Sequence, residues 1–174
     1  MSEHNDPLRN LETLRNRVET HSNRILSTHP NQFACQKGCA GCCATERAVN
    51  DLEYAALERG FAQLNTEETQ RLLETQDSTA CPLLVDQACA LYEERPLICR
   101  SHGLPIVMEN RLDVCPLNFE DIDLKDLPDT DLLSVDTITA ILTVSNMLFC
   151  QETDGDPNRR RPVSSLWANK PSAG

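Results

Sequence analysis

Apolar residues recur at every third or fourth position near the start of the chain, with charged residues between them. Five of them share this spacing: Leu8, Leu11, Leu14, Val18 and Ile25. A period near 3.6 predicts an amphipathic helix from about Pro7 to Ser27, whose apolar face packs against the rest of the protein. Asp6 and Pro7 suit the N-cap and the first helical position, and Pro30 lies just beyond the end.

Three longer helices are predicted further along the chain from the same spacing and from capping residues. They cover about Leu52–Ala62, Asn65–Gln76 and Val135–Phe149. Asn50 or Asp51 is expected to cap the first of these helices. Asn65 and Glu68 form the pattern of a capping box at the start of the second.

Two short hairpins are predicted between these helices, because strand-forming residues flank a turn in each. They span Cys81–Tyr92, with a turn at Asp86-Gln87, and Leu104–Val114, with a turn at Glu109-Asn110. Pro96 can open a short helix that contains Cys99. Each of these segments carries or precedes a cysteine.

Length and composition set the expected domain boundaries. The 174 residues allow one compact domain with a real core, which we place at residues 1–150. The acidic, proline-containing stretch at 120–131 is predicted to be a solvated connector. Residues 151–174 are expected to form a flexible tail, in which Arg159–Arg161 are interpreted as solvated tail residues and not as a basic patch.

Charge and hydropathy argue against two kinds of partner. The net charge of -11 disfavours nucleic acid, because a phosphate backbone is bound by neutralising it with lysine and arginine. No apolar run reaches the roughly 18 residues of a membrane span, and the N-terminus lacks the apolar segment of a signal peptide. We therefore expect a cytoplasmic protein, in which thiols stay reduced. The sequence identifies no protein partner.

Cysteine placement carries the chemistry of this chain. Eight cysteines fall between positions 35 and 115: Cys35, Cys39, Cys42, Cys43, Cys81, Cys89, Cys99 and Cys115. Thiolates are soft anionic ligands for zinc, iron and iron–sulfur clusters, and four of them around one ion form a closed tetrahedral site. Eight thiolates match two such sets. Cys150, on the last helix, is interpreted as a buried core thiol.

Two pairs of residues affect how such centres are built. Neighbouring side chains diverge in a helix or a strand, so Cys42 and Cys43 are expected to bridge ions or to serve different centres. Arg95 and Arg100 lie close to Cys99 in sequence. They either neutralise the charge of an anionic thiolate centre or form ordinary salt bridges.

The segment from Cys89 to Arg100 reads Cys-Ala-Leu-Tyr-Glu-Glu-Arg-Pro-Leu-Ile-Cys-Arg. Together with Cys35-x3-Cys39-x2-Cys42-Cys43 and Cys81-Pro-Leu-Leu, it resembles the YkgJ-type cysteine-cluster family of zinc- or iron-chelating domains. The resemblance spans about residues 33–116. It implies a metal-binding domain with the eight cysteines as ligands. Relatives of this domain occur in flagellin lysine methylases, where an iron–sulfur cluster is implied.

Three classes of function are compatible with these residues. The first is a protein that binds zinc or iron through cysteine thiolates in two centres, with a structural, storage or sensing role. The alternative is an iron–sulfur redox or catalytic protein, related to the domain in flagellin lysine methylases. The third is disulfide exchange or peroxide sensing, although the Cys39-x2-Cys42 pair lies in a crowded loop and not at the start of a helix.

The sequence leaves open whether the protein is an enzyme. It shows no Ser-His-Asp arrangement, phosphate-binding loop or His-Glu-x2-His motif, so non-enzymatic metal binding is favoured. We expect an α+β fold, rich in α-helix, in which several helices surround a small cysteine-lined hairpin and loop region.

Overall fold

Five α-helices are present in the computed structural model, which describes residues 6–35, 39–74 and 80–167. They are α1 (Pro7–Thr28), α2 (Asp51–Ala62), α3 (Thr66–Glu74), α4 (Leu97–Ser101) and α5 (Val135–Thr153). The short strands are β1 (Ala48–Val49), β2 (Leu84–Val85), β3 (Ala88–Cys89), β4 (Ile106–Met108), β5 (Arg111–Asp113), β6 (Leu133–Ser134) and β7 (Arg161–Pro162). The predicted α+β fold, rich in α-helix, is confirmed. None of the described helices combines the length and the apolar character that crossing a bilayer requires.

The chain divides into two compact units, each built from two stretches of sequence. Unit 1 comprises residues 1–36 and 97–148, and unit 2 comprises residues 37–96 and 149–174. Unit 1 contains a three-stranded sheet of order β5-β4-β6, and unit 2 contains the strand pairs β1-β7 and β2-β3. The single domain over residues 1–150 stays a prediction.

Capping and burial account for α1. The side-chain oxygen of Asp6 accepts a hydrogen bond from the backbone N–H of Leu8 at 3.0 Å, and Pro7 occupies the first turn. The apolar residues Leu11, Leu14, Val18 and Ile25 are buried. The helix predicted from the apolar spacing is therefore confirmed.

Side-chain caps also fix the starts of α2 and α3. Asn50 caps α2 by accepting a hydrogen bond from a backbone N–H three residues further on, at 2.9 Å. Asn65 and Glu68 form the predicted capping box, in which the side chain of each accepts from the backbone N–H of the other at 2.9 Å. The described part of α3 ends at Glu74, and the predicted end at Gln76 lies outside the described residues.

Both predicted hairpins are present, and each turns through two residues with positive φ. Asp86 and Gln87, with φ of 49° and 64°, join β2 to β3. Glu109 and Asn110, with φ of 50° and 61°, join β4 to β5. Positive φ at both central residues is typical of a type I′ turn, whose twist matches that of the flanking strands.

Each unit has a hydrophobic cluster of its own. In unit 1, Ile25, Phe119 and Leu127 are buried together. The cluster of unit 2 contains Val49, Tyr54, Leu57, Leu83, Leu91, Val163 and Leu166. Cys81 and Cys89 pack against this second cluster, so two of the candidate ligands are in contact with the hydrophobic core of unit 2.

The C-terminal segment differs from the flexible tail predicted for residues 151–174. Residues 161–162 form β7, which pairs antiparallel with β1. Val163 and Leu166 are each only 2% exposed and belong to the hydrophobic cluster of unit 2. Packing of these apolar residues therefore gives the segment a defined structure as far as Trp167, and the remainder lies outside the described residues.

Asp51 anchors two of the three arginines of this segment. Arg159 and Arg161 approach its buried carboxylate to 2.6 Å and 2.8 Å. Burial acts to raise the pKa of Asp51, but hydrogen bonds and charge from the two arginines outweigh it and leave the pKa lowered. Arg159 and Arg161 stay partly exposed, but their ion pairs with a buried carboxylate differ from the solvated tail predicted for them.

The acidic stretch at 120–131 also packs into unit 1. The carboxylate of Asp131 is buried; it forms an ion pair with Arg24 at 2.7 Å and a hydrogen bond with Nε2 of His29 at 2.8 Å. Hydrogen bonds from these two side chains hold its pKa below the usual value. The prediction of a solvated connector is therefore wrong at Asp131.

Candidate metal centre

All nine cysteines are free thiols. The eight predicted ligands are partly buried, and Cys150 is buried as predicted. Unit 1 holds three of the eight, namely Cys35, Cys99 and Cys115, and unit 2 holds the other five, namely Cys39, Cys42, Cys43, Cys81 and Cys89. The thiols thus form two groups by their position in the fold.

Backbone hydrogen bonds tie together the cysteine-bearing segments of unit 2. Cys42 and Cys43 lie in the 3-10 turn Gly41–Cys43. The carbonyl of Cys43 accepts a hydrogen bond from the N–H of Cys81 at 2.8 Å. Cys89 lies on β3, opposite Leu84 of β2, a strand that begins three residues after Cys81. Three segments that are distant in sequence therefore meet in one unit.

Cys42 and Cys43 lie in a short 3-10 turn, not in the regular helix or strand that the prediction assumed. Both thiols belong to unit 2, and each affects the pKa of the other. That the two sulfurs bridge ions or serve different centres stays a prediction.

Burial and mutual repulsion disfavour ionisation of the thiols in unit 2. Burial is the main cause that raises the pKa of Cys42, Cys43 and Cys81, and it raises that of Cys89 to about 11. Repulsion between neighbouring thiolates adds to the effect, since each of these four sulfurs raises the pKa of at least one other. Metal ligation requires deprotonated thiols. The positive charge of a bound cation would offset the repulsion between the resulting thiolates.

Two arginines supply positive charge to the same group of thiols. Arg47 donates a hydrogen bond to the carbonyl of Cys42 at 3.1 Å, and its charge lowers the pKa of Cys43 and Cys81 against the larger effect of burial. Arg95 acts on Cys89 in the same direction. The segment from Cys89 to Arg100, which carries the family resemblance, pointed to Arg95. It did not point to Arg47, whose position four residues after Cys43 is the one feature of the sequence that suggests a role near the thiols.

Asn118 connects the cysteine-bearing segments of unit 1. Its side-chain amide donates hydrogen bonds to the sulfur of Cys35 at 3.3 Å and to the carbonyl of Gly103 at 2.7 Å. Its backbone N–H donates to the carbonyl of Cys115 at 2.8 Å. Cys99 lies on α4, which ends two residues before Gly103. No pattern in the sequence pointed to Asn118.

Arg100 forms the ordinary salt bridge that was one of its two predicted roles. Its guanidinium lies 3.2 Å from the carboxylate of Glu19 on α1, and its side chain is 8% exposed. Arg95, by contrast, stacks on the ring of Tyr92 at 3.5 Å and affects the pKa of Cys89.

The thiols are grouped, but they are not arranged as a finished ligand shell. Among the described residues of either unit, no three histidine, cysteine, aspartate or glutamate side chains stand at positions that could hold one ion. The chemistry of the donors nevertheless fits zinc or iron, because thiolate sulfur is the ligand that both metals accept in closed sites.

The fold and the grouped thiols define a cysteine-rich domain built from two units. Residues 34–116, just under half of the chain, match the model of the CxxCxxCC family, described as a putative zinc- or iron-chelating domain. The resemblance to the YkgJ-type cysteine-cluster family is thereby confirmed, and the match supports metal binding by this region. No curated protein and no solved structure matches the chain.

Proposed function

We propose that the protein binds zinc or iron through its cysteine thiolates in two centres, one in each unit. The observation that carries the proposal is the meeting of Cys42, Cys43, Cys81 and Cys89 in unit 2. These sulfurs come from three separate segments and alter one another's ionisation. Four thiolates are the number that a closed tetrahedral zinc or iron site requires.

The charges around the unit 2 thiols support this proposal. Four thiolates around a divalent cation leave a net negative charge, which nearby cations would offset. Arg47 and Arg95 already favour the thiolate forms of Cys43, Cys81 and Cys89. Cys39 is a fifth thiol in this unit, and its charge raises the pKa of Cys42.

The second centre would use the thiols of unit 1. Cys35, Cys99 and Cys115 supply three sulfurs, and one further ligand would complete a tetrahedral site. Asn118 already links the segments that carry Cys35 and Cys115. This grouping assigns all eight cysteines to a unit without using Cys150.

The proposed role of the metal is to stabilise the fold, with storage or sensing as further uses. A metal ion that joins thiolates from separate segments would contribute its binding free energy to folding. The location proposed is the cytoplasm, whose reducing conditions keep cysteines in the thiol form needed for ligation.

Metal and sulfide analysis of protein purified without oxygen tests the proposal. Zinc or iron at about two ions per chain and no acid-labile sulfide is the expected result. Cys89→Ser should lower the metal content by about one ion, whereas the matched change Cys150→Ser should leave it unchanged. Acid-labile sulfide would favour the iron–sulfur alternative, and wild-type protein without metal would contradict the proposal.

A further inference from the structure

Asn118 makes contacts that go beyond filling space in unit 1. It is 2% exposed. Its side-chain oxygen accepts a hydrogen bond from the N–H of Ala34 at 2.9 Å, and its amide nitrogen donates to the sulfur of Cys35 at 3.3 Å and to the carbonyl of Gly103 at 2.7 Å. One side chain therefore fixes both the backbone before Cys35 and the sulfur itself.

We propose that Asn118 is a positioning residue that orients the thiolate of Cys35 for metal binding through an N–H···S hydrogen bond. The inference rests on the proposed function, because it assumes that Cys35 is a ligand. Asn118 itself touches no metal. It acts by holding the sulfur that does.

The strength of this hydrogen bond depends on the state of the sulfur. A neutral thiol is a weak acceptor, whereas hydrogen bonds to an ionised acceptor are roughly twice as strong as those between neutral groups. The bond from Asn118 would therefore be stronger with Cys35 held as a metal-bound thiolate, its proton having been released to solvent. Hydrogen bonds of this kind to metal ligands typically change metal affinity by about 10- to 100-fold.

The backbone on both sides of the contact keeps Asn118 in place. The next residue, Phe119, has φ of 55°, a conformation that is uncommon for a bulky side chain. It is held there because its N–H donates to the carbonyl of Gln32 at 2.9 Å and its ring is buried against Phe33. These contacts hold the backbone directly after Asn118 in place.

Gly103 completes the geometry from the other side. Its φ is 92°, and a Cβ atom at this position would lie 2.9 Å from the sulfur of Cys35 and 3.1 Å from the amide nitrogen of Asn118. The absence of a side chain lets the Gly103 carbonyl accept from the same amide group that donates to the sulfur. The side-chain amide of Asn118 therefore has two acceptors that the fold supplies, the sulfur of Cys35 and the carbonyl of Gly103.

Asn118→Asp tests the role, since it preserves the shape and the oxygen facing Ala34 but removes both N–H donors. The variant is compared with wild type after loading with Co²⁺, at a pH where the new carboxylate is ionised. Loss of the donor should move the sulfur-to-cobalt charge-transfer band to lower energy and speed metal loss to a chelator by about tenfold. Asn50→Asp is the matched control, because Asn50 is 3% exposed and its side-chain oxygen acts as an acceptor in the helix cap.

A second measurement on the wild-type protein does not depend on how the variant folds. When the protein is loaded with an NMR-active cadmium isotope, the side-chain amide protons of Asn118 should show scalar coupling to the metal through the sulfur of Cys35. If the coupling is missing and the cobalt band of Asn118→Asp is unchanged, the role of Asn118 is overturned while the proposed function is not. Wild-type protein that binds neither cobalt nor cadmium would overturn the proposed function, and this inference with it.

Discussion

Asp51 joins the C-terminal segment to α2 through charged hydrogen bonds within unit 2. Both of its oxygens accept from Arg159, and one accepts from Arg161 at 2.8 Å. Arg161 also lies over the ring of Tyr54, at 4.4 Å from its centroid. A carboxylate that is 5% exposed is tolerated here because the two guanidinium groups compensate for lost hydration.

Asp51→Asn should therefore destabilise the protein by about 2–3 kcal/mol, since hydrogen bonds to a charged acceptor are lost at a buried position. The measurement is urea unfolding, with Arg160→Ala as the control at an exposed neighbour in the same segment. The pKa of Asp51 is lowered from 3.8, so its contribution is present above pH 3.8 and is lost as the pH falls below that value. A variant as stable as wild type at neutral pH would contradict this role.

The raised pKa of Cys89 predicts how the metal-free protein responds to alkali. Its folded-state pKa is about 11 and the ordinary value is 9.0, so the folded state holds the proton more tightly than the unfolded state does. The stabilising contribution is complete below pH 9.0 and is lost as the pH rises towards 11, by roughly 3 kcal/mol.

Unfolding of the chelator-treated protein at a series of pH values measures this loss. In Cys89→Ser the decline between pH 9 and pH 11 should be smaller, since that titration is absent. A stability that rises over the same range in the wild-type protein would contradict the assignment.

Single residues show where sequence reasoning reached its limit. The caps at Asp6, Asn50 and Asn65 were predictable because a cap bonds to a backbone only two or three residues away. Asn118 was not predictable, because its contact with Cys35 joins segments that are distant in sequence. Arg47 was missed because it reaches the carbonyl of Cys42 within an irregular segment that has no repeating pattern. The eight cysteines were predicted from their spacing, whereas their division between the two units was not.

At the scale of elements, α4 and the loop after it form a close contact with Cys35. Gly103 follows this short helix with φ of 92°, a left-handed conformation that favours glycine. The loop can approach the sulfur of Cys35 because no Cβ intervenes. The loop therefore depends on this glycine twice, for its backbone conformation and for its packing.

Gly103→Ala should cost about 1–2 kcal/mol from the backbone alone, with a further penalty from the contact at 2.9 Å. Gly41→Ala is the control, because a Cβ there would meet nothing within 4 Å and no positive φ is present. Thermal unfolding of the two metal-free variants measures the difference. Equal melting temperatures for both would contradict the proposed packing around Cys35.

Element prediction succeeded where the signals were local. Both hairpins were predicted because their turns lie between short strand-forming runs, and the structure gives both turns the positive φ of type I′ geometry. The prediction failed for the segment around β7, because this strand is two residues long and its partner, β1, is more than a hundred residues away in sequence. The buried residues Val163 and Leu166 are too few to form a recognisable period.

At the scale of the whole molecule, the balance of charge favours bound cations. The chain already carries a net charge of -11, and ionising the cysteines would add to it. The raised pKa values in unit 2 express the same cost locally. Zinc or iron would lower this cost, so metal binding and ionisation of the thiols are expected to occur together, with release of protons.

X-ray absorption at the metal edge of the purified protein tests the central claim most directly. Thiolate ligation predicts a first shell dominated by sulfur, with about four ligands per ion at roughly 2.3 Å if the metal is zinc. Cys150→Ser should leave this shell unchanged, because the buried thiol of Cys150 lies 4.0 Å from the carboxylate of Asp51 and belongs to neither group of candidate ligands. A first shell made mainly of oxygen or nitrogen would contradict thiolate ligation by this chain.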